Sequence, residues 1–391
     1  MEPASAAAAK AVGYVYITNN GEGTVSEFSR EADGTLDFLR TAKAGAVSGP
    51  SGIAIDPSSR FLYAANEGDG RIYQFSIKRD TGELAAIGEG WVGDESTGRP
   101  QQIAISPHGD FLYVTNSGKR SDGKDGDGES IDGKGIDGKG IDGSIAEYAI
   151  DRATGALKLL EIFHGGGLQQ PMGIAFMPSG KFVFVSDLGA GTIAAFAVEP
   201  TGKLKLVAST PSLGDKPGQP GLVAVHPSGS FVYTVDRSIG SVVVTKPAAD
   251  GRLSVTKTYH VGISTSGPFG IALAATGPNV FVYTSNIVGD TVSSFAVKPD
   301  GLDLIGECPT GMGNPTGMVA DPAGHNLYVV NRNASTVAQF AIGETNGVAL
   351  IPKASIFTEA SPNEASHPLY IATTRWDAPA SVAQTTGQRT N

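Results

Sequence analysis

A single cysteine, Cys308, is all the thiol chemistry in this chain of 391 residues. One thiol supports neither an internal disulfide framework nor a cysteine-based metal site. Long apolar runs are missing too: no stretch approaches the ~18 residues that cross a membrane as a helix, so no membrane span is expected. Cations are outnumbered, 29 Lys and Arg against 39 Asp and Glu. The net charge of −10 argues against a nucleic-acid partner, because phosphate binding needs clustered Lys and Arg. No segment keeps a 3.6-residue apolar period for ten residues, which excludes a helical solenoid. P-loop, dinucleotide fingerprint and nucleophile elbow are absent. No His pair has metal-ligand spacing, so no zinc site is expected.

The N-terminal stretch MEPASAAAAKAVGYVY shows no apolar h-region. Localisation therefore stays open: cytoplasmic, or secreted or periplasmic with a leader removed before residue 1. Residues 1–13 and 377–391 read as polar tails, the latter disordered. The domain between them, 14–376, carries everything else.

What is abundant is glycine, 53 residues, with 23 prolines. Turns this frequent imply many short strands. The segments NLYVVNRNASTVAQF (326–340), FVYTVDRSIGSVVVT (231–245) and FLYAANEGDGRIYQF (61–75) overlay almost residue for residue. Aligned on their aromatic, seven copies emerge: Tyr16, Tyr63, Tyr113, Phe184, Tyr233, Tyr283 and Tyr328, at spacings of 47, 50, 71, 49, 50 and 45. The one long spacing contains a Gly- and Asp-rich insertion at 121–143, and removing it restores the period. Each unit runs from a Pro-x-Gly-Ile-Ala segment through a turn to the aromatic strand, then to two more strands. Four antiparallel strands repeated radially make a β-propeller blade. The chain is thus all-β, a seven-bladed β-propeller. Its first strand lacks a partner upstream and its last, HPLYIATTRW at 367–376, lacks one downstream. That C-terminal strand is expected to pair into the first blade and close the ring, which also removes an open edge.

Within such a blade the start of strand one and the end of strand two lie at the same end of the central channel. The residue pairs after each aromatic strand therefore vary at one mouth: Asn19-Asn20, Asn66-Glu67, Asn116-Ser117, Asp187-Leu188, Asp236-Arg237, Asn286-Ile287 and Asn331-Arg332. The Asx residues suit turn capping first and ligand binding second. Glu67, Arg237 and Arg332 have no such structural job, although an exposed charge is most often only solvated. Two guanidiniums on one rim suit a small anionic ligand. Strand-one starts are small or apolar except for Gln101-Gln102 and for His367 and Tyr370 of the closing strand. His164 and His367 lie toward the mouth and are candidate general bases; His108, His226 and His325 fall at the opposite end. In the insertion, Asp122, Asp125, Asp127 and Glu129 are hard oxygen ligands that offer a weak Ca²⁺ site, the one cofactor the chain suggests. The bland reading of that insertion is a surface loop, and a lid over the mouth is the other.

The run YVTN, verbatim at 113–116 and varied in the other blades, resembles the YVTN-type propeller repeat. The wider unit is similar to the seven-bladed lactonase family, which includes 6-phosphogluconolactonases and carboxymuconate cyclases. The resemblance covers 14–376 and implies a lactone hydrolase or cycloisomerase of carbohydrate metabolism acting on a small anionic substrate; a monomer is expected. Its strand ends match Asn66-Glu67, Asp236-Arg237 and Asn331-Arg332, and strand polarity adds Gln101, Gln102 and Tyr370 around the substrate, with Arg237 and Arg332 as the anion ligands. Glu67, His367 and Arg332 are the catalytic candidates. Family members acting on phosphogluconolactone carry Pro-Arg-His before the strand that ends in Asn-Glu; here Ser51 and Gly52 stand in place of that Arg and His. A non-catalytic binding or scaffold propeller is the other function the residues allow.

Overall fold

Every blade begins at a Pro-containing inner strand because the proline closes it off at the mouth, where no ladder donor is needed. The computed structural model describes residues 11–45, 49–94, 98–118, 143–262, 267–311, 313–343, 347–358 and 366–375. These form seven four-stranded antiparallel sheets. The inner strands of blades two to seven are Pro50–Ile55, Arg99–Ile105, Pro171–Phe176, Pro220–Val225, Pro268–Thr276 and Pro315–Ala320. Blade one takes its inner strand from the other end of the chain: Pro368–Thr373 pairs antiparallel with Gly13–Asn19, with Val15 opposite Thr373 and Ile17 opposite Ile371. Neighbouring inner strands touch in sequence around the ring, and the seventh touches the first. The closure expected from the orphan C-terminal strand is what the chain does. Residues 1–10, Trp376, the tail 377–391 and the insertion's Asp122, Asp125, Asp127 and Glu129 lie outside the described residues, while Gly13, placed in the N-terminal tail from sequence, already belongs to a strand.

The second strands, such as Phe61–Asn66 and Asn326–Asn331, are buried along their whole length. Both faces of each are covered by adjacent blades, so β-branched and aromatic residues occur without polar alternation. The repeated aromatic is a latch between blades. Tyr16 donates its hydroxyl to Gly82 O (2.7 Å), Tyr63 to Gly155 O (2.7 Å), Tyr113 to Gly202 O (2.6 Å) and Tyr328 to Gly34 O (2.8 Å). Each acceptor lies in the outer turn of the next blade. Burial pushes all four phenols well above their ordinary range, so they remain donors.

A second set of latches joins third strands to the following blade. Glu27, Gln74, Glu147 and Gln339 accept the N–H of Leu84, Leu157, Leu204 and Leu36, respectively. Nearer the axis, hydroxyls cross these junctions and that of blades six and seven: Thr18 to Ser51 O, Ser51 to Pro100 O, Thr115 to Met172 O, Ser285 to Thr316 O and Thr316 to Leu369 O, at 2.6–3.0 Å. The inner end of the fold is thereby held rigid, which is what a site built there requires.

Candidate functional site

One backbone pattern builds the mouth. The residue after each strand-end Asx donates its N–H to the carbonyl of the residue before the next inner-strand proline. The pairs are Asn20 to His367, Glu67 to Gly49, Leu188 to Gln170, Arg237 to Gln219, Ile287 to Gly267 and Arg332 to Asn314. In blade three Arg99 instead pairs with Ser117 across the ladder. His367 sits at φ 40, a left-handed value, but Asn314 (φ 61) and Gly267 (φ 55) do the same before their prolines. The strain at His367 therefore belongs to the repeated turn.

Just below the mouth the ladder register slips in every blade, between Pro50 and Ile53, Pro100 and Ile103, and so on to Pro315 and Met318. The slip takes two inner-strand residues out of the ladder, as at Ser51-Gly52, or one, Met172 in blade four, and re-aims their side chains. In four blades the penultimate hydroxyl of strand two accepts the freed N–H: Thr115 from Gln102 (3.1 Å), Ser186 from Gly173 (3.0 Å), Ser285 from Gly270 (2.8 Å) and Thr18 from Tyr370 (3.2 Å). The second residue after the proline thus forms a throat around the channel. Four of its seven members are glycines, 52, 173, 270 and 317, and a Cβ on any of them would meet a neighbouring blade's inner strand at 2.9 Å or less. The three that project are Tyr370, Gln102 and Leu222. A cavity of ≈ 100 Å³ occupies the channel here, walled by inner-strand residues of all seven blades, among them Ile53, Ile174, Ile271, Met318 and those three.

Of the candidates, Gln102 and Tyr370 wall this cavity. Gln101 does not: it is buried, and its Nε2 donates to Ser117 Oγ at 3.1 Å. The Asx side chains are engaged in caps. Asn66 Nδ2 donates to Ala44 O (2.8 Å) while its Oδ1 accepts Gly68 N–H (2.8 Å). Asp236 accepts from Gln219 N–H (2.9 Å), Ser212 Oγ (3.1 Å) and Ser238 Oγ (2.6 Å). Asn331 Nδ2 donates to Thr310 O and Thr336 Oγ1, both at 3.3 Å. All three are fully buried. Arg237 and Arg332 are half-buried at the rim of blades five and seven, on either side of Ile287.

Glu67 is ion-paired with Arg99 of the next blade. Arg99 was not among the residues singled out from sequence; its signal was a lone cation in front of an inner-strand proline. His367 is half-buried on the closing strand, whereas His164 ends the outermost strand of blade three, on the ring's outer wall. His108 and His325 are exposed in turns at the other end of the channel, and His226 lies half-buried there, its ring held by Ser228 Oγ at 2.7 Å. Burial lowers the basicity of His226. Among the described residues no three His, Cys, Asp or Glu side chains gather as a metal site, and no helix is long and apolar enough to cross a membrane.

The seven four-stranded blades and the repeat period coincide with a family model described as lactonase, 7-bladed β-propeller, which matches residues 3–99, 93–216, 137–270 and 223–355. The chain belongs to this lactonase family. A curated relative from Formosa agariphila, named 6-phosphogluconolactonase, is 25% identical over 200 residues, 49% of this chain and 50% of that one. A second, from Arthroderma benhamiae, is 31% identical over 177 residues, 44% of this chain and 40% of that one. The match thus spans about half the length of these relatives or less. Among solved structures, a periplasmic gluconolactonase from Pseudomonas aeruginosa shares the fold with a TM-score of 0.71 at 20% identity, covering 94% of this chain and 99% of that one. A hydrazine synthase chain from Kuenenia stuttgartiensis shares it at a TM-score of 0.58 and 15% identity, covering 87% and 99%. The fold alone therefore does not select the chemistry.

Proposed function

We propose that this chain hydrolyses a small anionic lactone at the mouth of the channel. The observation that carries the reading is the charge pattern of the rim. Of the seven residues that follow the strand-end Asx, four are uncharged or apolar, Asn20, Ser117, Leu188 and Ile287, and the other three are Glu67, Arg237 and Arg332. They stand at the same end of the channel as the throat formed by Gln102 and Tyr370. Arg237 and Arg332 take the anionic group of the substrate, since guanidinium forks match carboxylate or phosphate oxygens. Glu67, poised by Arg99, or His367 receives the proton of the attacking water. The related ring formation of a cycloisomerase, in which a carboxylate oxygen adds to one carbon of a C=C and a proton is delivered to the other, calls on the same anion-binding and proton-handling groups. Family membership and the names of the relatives support the same class of reaction.

The test is a panel of anionic and neutral lactones followed by acid release. Turnover of at least one anionic lactone is expected, with KM raised roughly 10- to 100-fold by Arg332→Ala, the loss of one charge-assisted contact. No turnover on any lactone overturns the reading. A non-catalytic binding propeller is the second reading, favoured by the engagement of Asn66, Asp236 and Asn331 in caps, which leaves few polar side chains for chemistry. A stable protein partner whose binding is untouched by Arg237→Ala and Arg332→Ala supports it.

A further inference from the structure

We infer that the Gln102 carboxamide is the donor that receives the carbonyl oxygen of the ligand's ring, acting as the oxyanion-stabilising group of the site. This rests on the lactone-hydrolase reading and names the residue that would stabilise developing charge.

The argument starts from the bulge. Neighbouring strand residues point to opposite faces, so Gln101 and Gln102 cannot both face the channel. The register slip after Pro100 decides between them: Gln101 turns inward to Ser117, and Gln102 joins the cavity wall. Thr115 Oγ1 accepts the Gln102 backbone N–H that the slip frees (3.1 Å) and donates its own O–H to Met172 O (3.0 Å). The residue's backbone is therefore held from two blades.

The side chain is held as well. Gln102 Oε1 accepts the N–H of Ile103 at 3.0 Å. Only the oxygen of an amide can meet a backbone donor, so this bond fixes which end of the carboxamide is which. The Nε2 group, with two hydrogens, is left without a protein partner among the described residues, on a residue that walls the cavity. Position 52 leaves room for this: a Cβ on Gly52 would lie 2.8 Å from Gln102 Oε1 and 2.6 Å from its Cα. A preoriented donor aimed at the place where negative charge develops needs no reorganisation during the reaction.

In the hydrolysis the water oxygen bonds to the ring carbonyl carbon, and the C=O π pair moves onto the carbonyl oxygen, which Nε2–H receives. The water proton passes to the base. Collapse then breaks the ring C–O bond, and the departing alkoxide takes that proton back, giving the hydroxy acid.

Gln102→Glu is the diagnostic variant. It keeps an oxygen for the Ile103 N–H, and so preserves a purely structural role, but puts a carboxylate where the donors were. Gln102→Ala removes both. Loss of one such donor lowers kcat by about 100- to 1000-fold, and both variants are expected to show it with their melting temperatures near that of the parent. A Gln102→Glu protein with parental kcat overturns the inference while leaving the lactonase reading intact. Binding supplies an arm independent of turnover: 2-oxotetrahydrofuran-5-carboxylate against tetrahydrofuran-2-carboxylate, which lacks the ring carbonyl, by calorimetry. The parent is expected to prefer the carbonyl-bearing ring at least tenfold and Gln102→Ala to lose the preference. If no lactone is turned over but this preference and its loss are seen, the function proposed above falls and carbonyl recognition by Gln102 stands. Equal affinity of the parent for the two rings overturns it.

Discussion

The hydroxyl of Tyr328 in the seventh blade donates to the carbonyl of Gly34 in the first, 2.8 Å away and 294 residues distant in the chain. The bond spans the seam of the ring, so it reports on closure directly. Tyr328→Phe leaves a buried carbonyl without its donor and is expected to cost about 1–2 kcal/mol. Tyr233 occupies the same place in blade five, yet its buried hydroxyl has no hydrogen-bond partner among the described residues. Tyr233→Phe is therefore expected to be neutral or slightly stabilising. Denaturant melts of the two variants check the contrast, and an equal loss in both would count against the latch.

Ring closure also rests on Pro368–Thr373, whose removal exposes the inner edge of Gly13–Asn19 and the core clusters that Leu369 and Ile371 complete, with Phe269 in one and Val15 and Ile17 in the other. A chain ending at residue 365 is expected to lose cooperative unfolding or to be insoluble. An unchanged melting temperature would show that the closing strand is dispensable.

Two of the outer latches carry charge where their counterparts do not. Glu27 and Glu147 are buried, each with one oxygen on a leucine N–H and the other without a hydrogen-bond partner among the described residues. Burial pushes both carboxyls up to about 7, against the pull of the leucine N–H groups and of Arg40 beside Glu27 or Lys203 near Glu147; Glu83 and Glu161 add to the rise. Their folded-state affinity for protons exceeds that of the unfolded chain, whose carboxyls titrate near 4.5. Their contribution to stability is therefore full below about pH 4.5 and falls as pH rises through 7. Glu27→Gln and Glu147→Gln copy Gln74 and Gln339. Each is expected to stabilise the protein at pH 8 by on the order of 1 kcal/mol and to flatten the slope between pH 4.5 and 7. Thermal melts across that range test it.

The throat hydroxyls are the next test. Ser285 accepts Gly270 N–H and donates to Thr316 O, both buried. Ser285→Ala orphans both groups at once and is expected to cost about 2–3 kcal/mol. At the junction of blades five and six this position is Val235, and its neighbour at the bulge is Gly221, so no side-chain hydroxyl is available from either position. Val235→Ser supplies one, facing Phe269 O. Its cost is expected to stay below that of Ser285→Ala, although a buried valine side chain is worth ~1.5–3 kcal/mol. Chemical denaturation of both variants gives the comparison.

The period, the aromatic marker and the two orphan end strands made the propeller and its closure legible, because a repeat that cannot bury its own face must stack on its neighbours. Less of the mouth was legible. That Gln102 and not Gln101 faces the channel depends on a bulge, and a one-residue slip leaves no mark in a Pro-Gln-Gln-Ile run. The tyrosines served as alignment marks, but their acceptors lie 66 to 294 residues away in turns. Arg99 is hard to read from sequence because the residues before other inner-strand prolines, such as Gly49, Gln170 and Asn314, carry no charge, so the position has no repeated signature. Its partner Glu67 was found from the strand end alone.

That pair yields the last prediction. Arg99 and Glu67 are ion-paired across blades two and three, Arg99 about a third exposed and Glu67 mostly buried. Arg99→Met removes the cation and keeps the side chain's apolar length. If Glu67 accepts the water proton, the pair holds that carboxylate in place, and the variant is expected to lose kcat by roughly 10- to 100-fold with KM little changed. Stability should change by less than about 1 kcal/mol, as for other partly exposed pairs. Glu67→Gln should remove most of the activity. Activity retained in Glu67→Gln assigns the proton to another group, and His367→Gln then becomes the variant that must lose it.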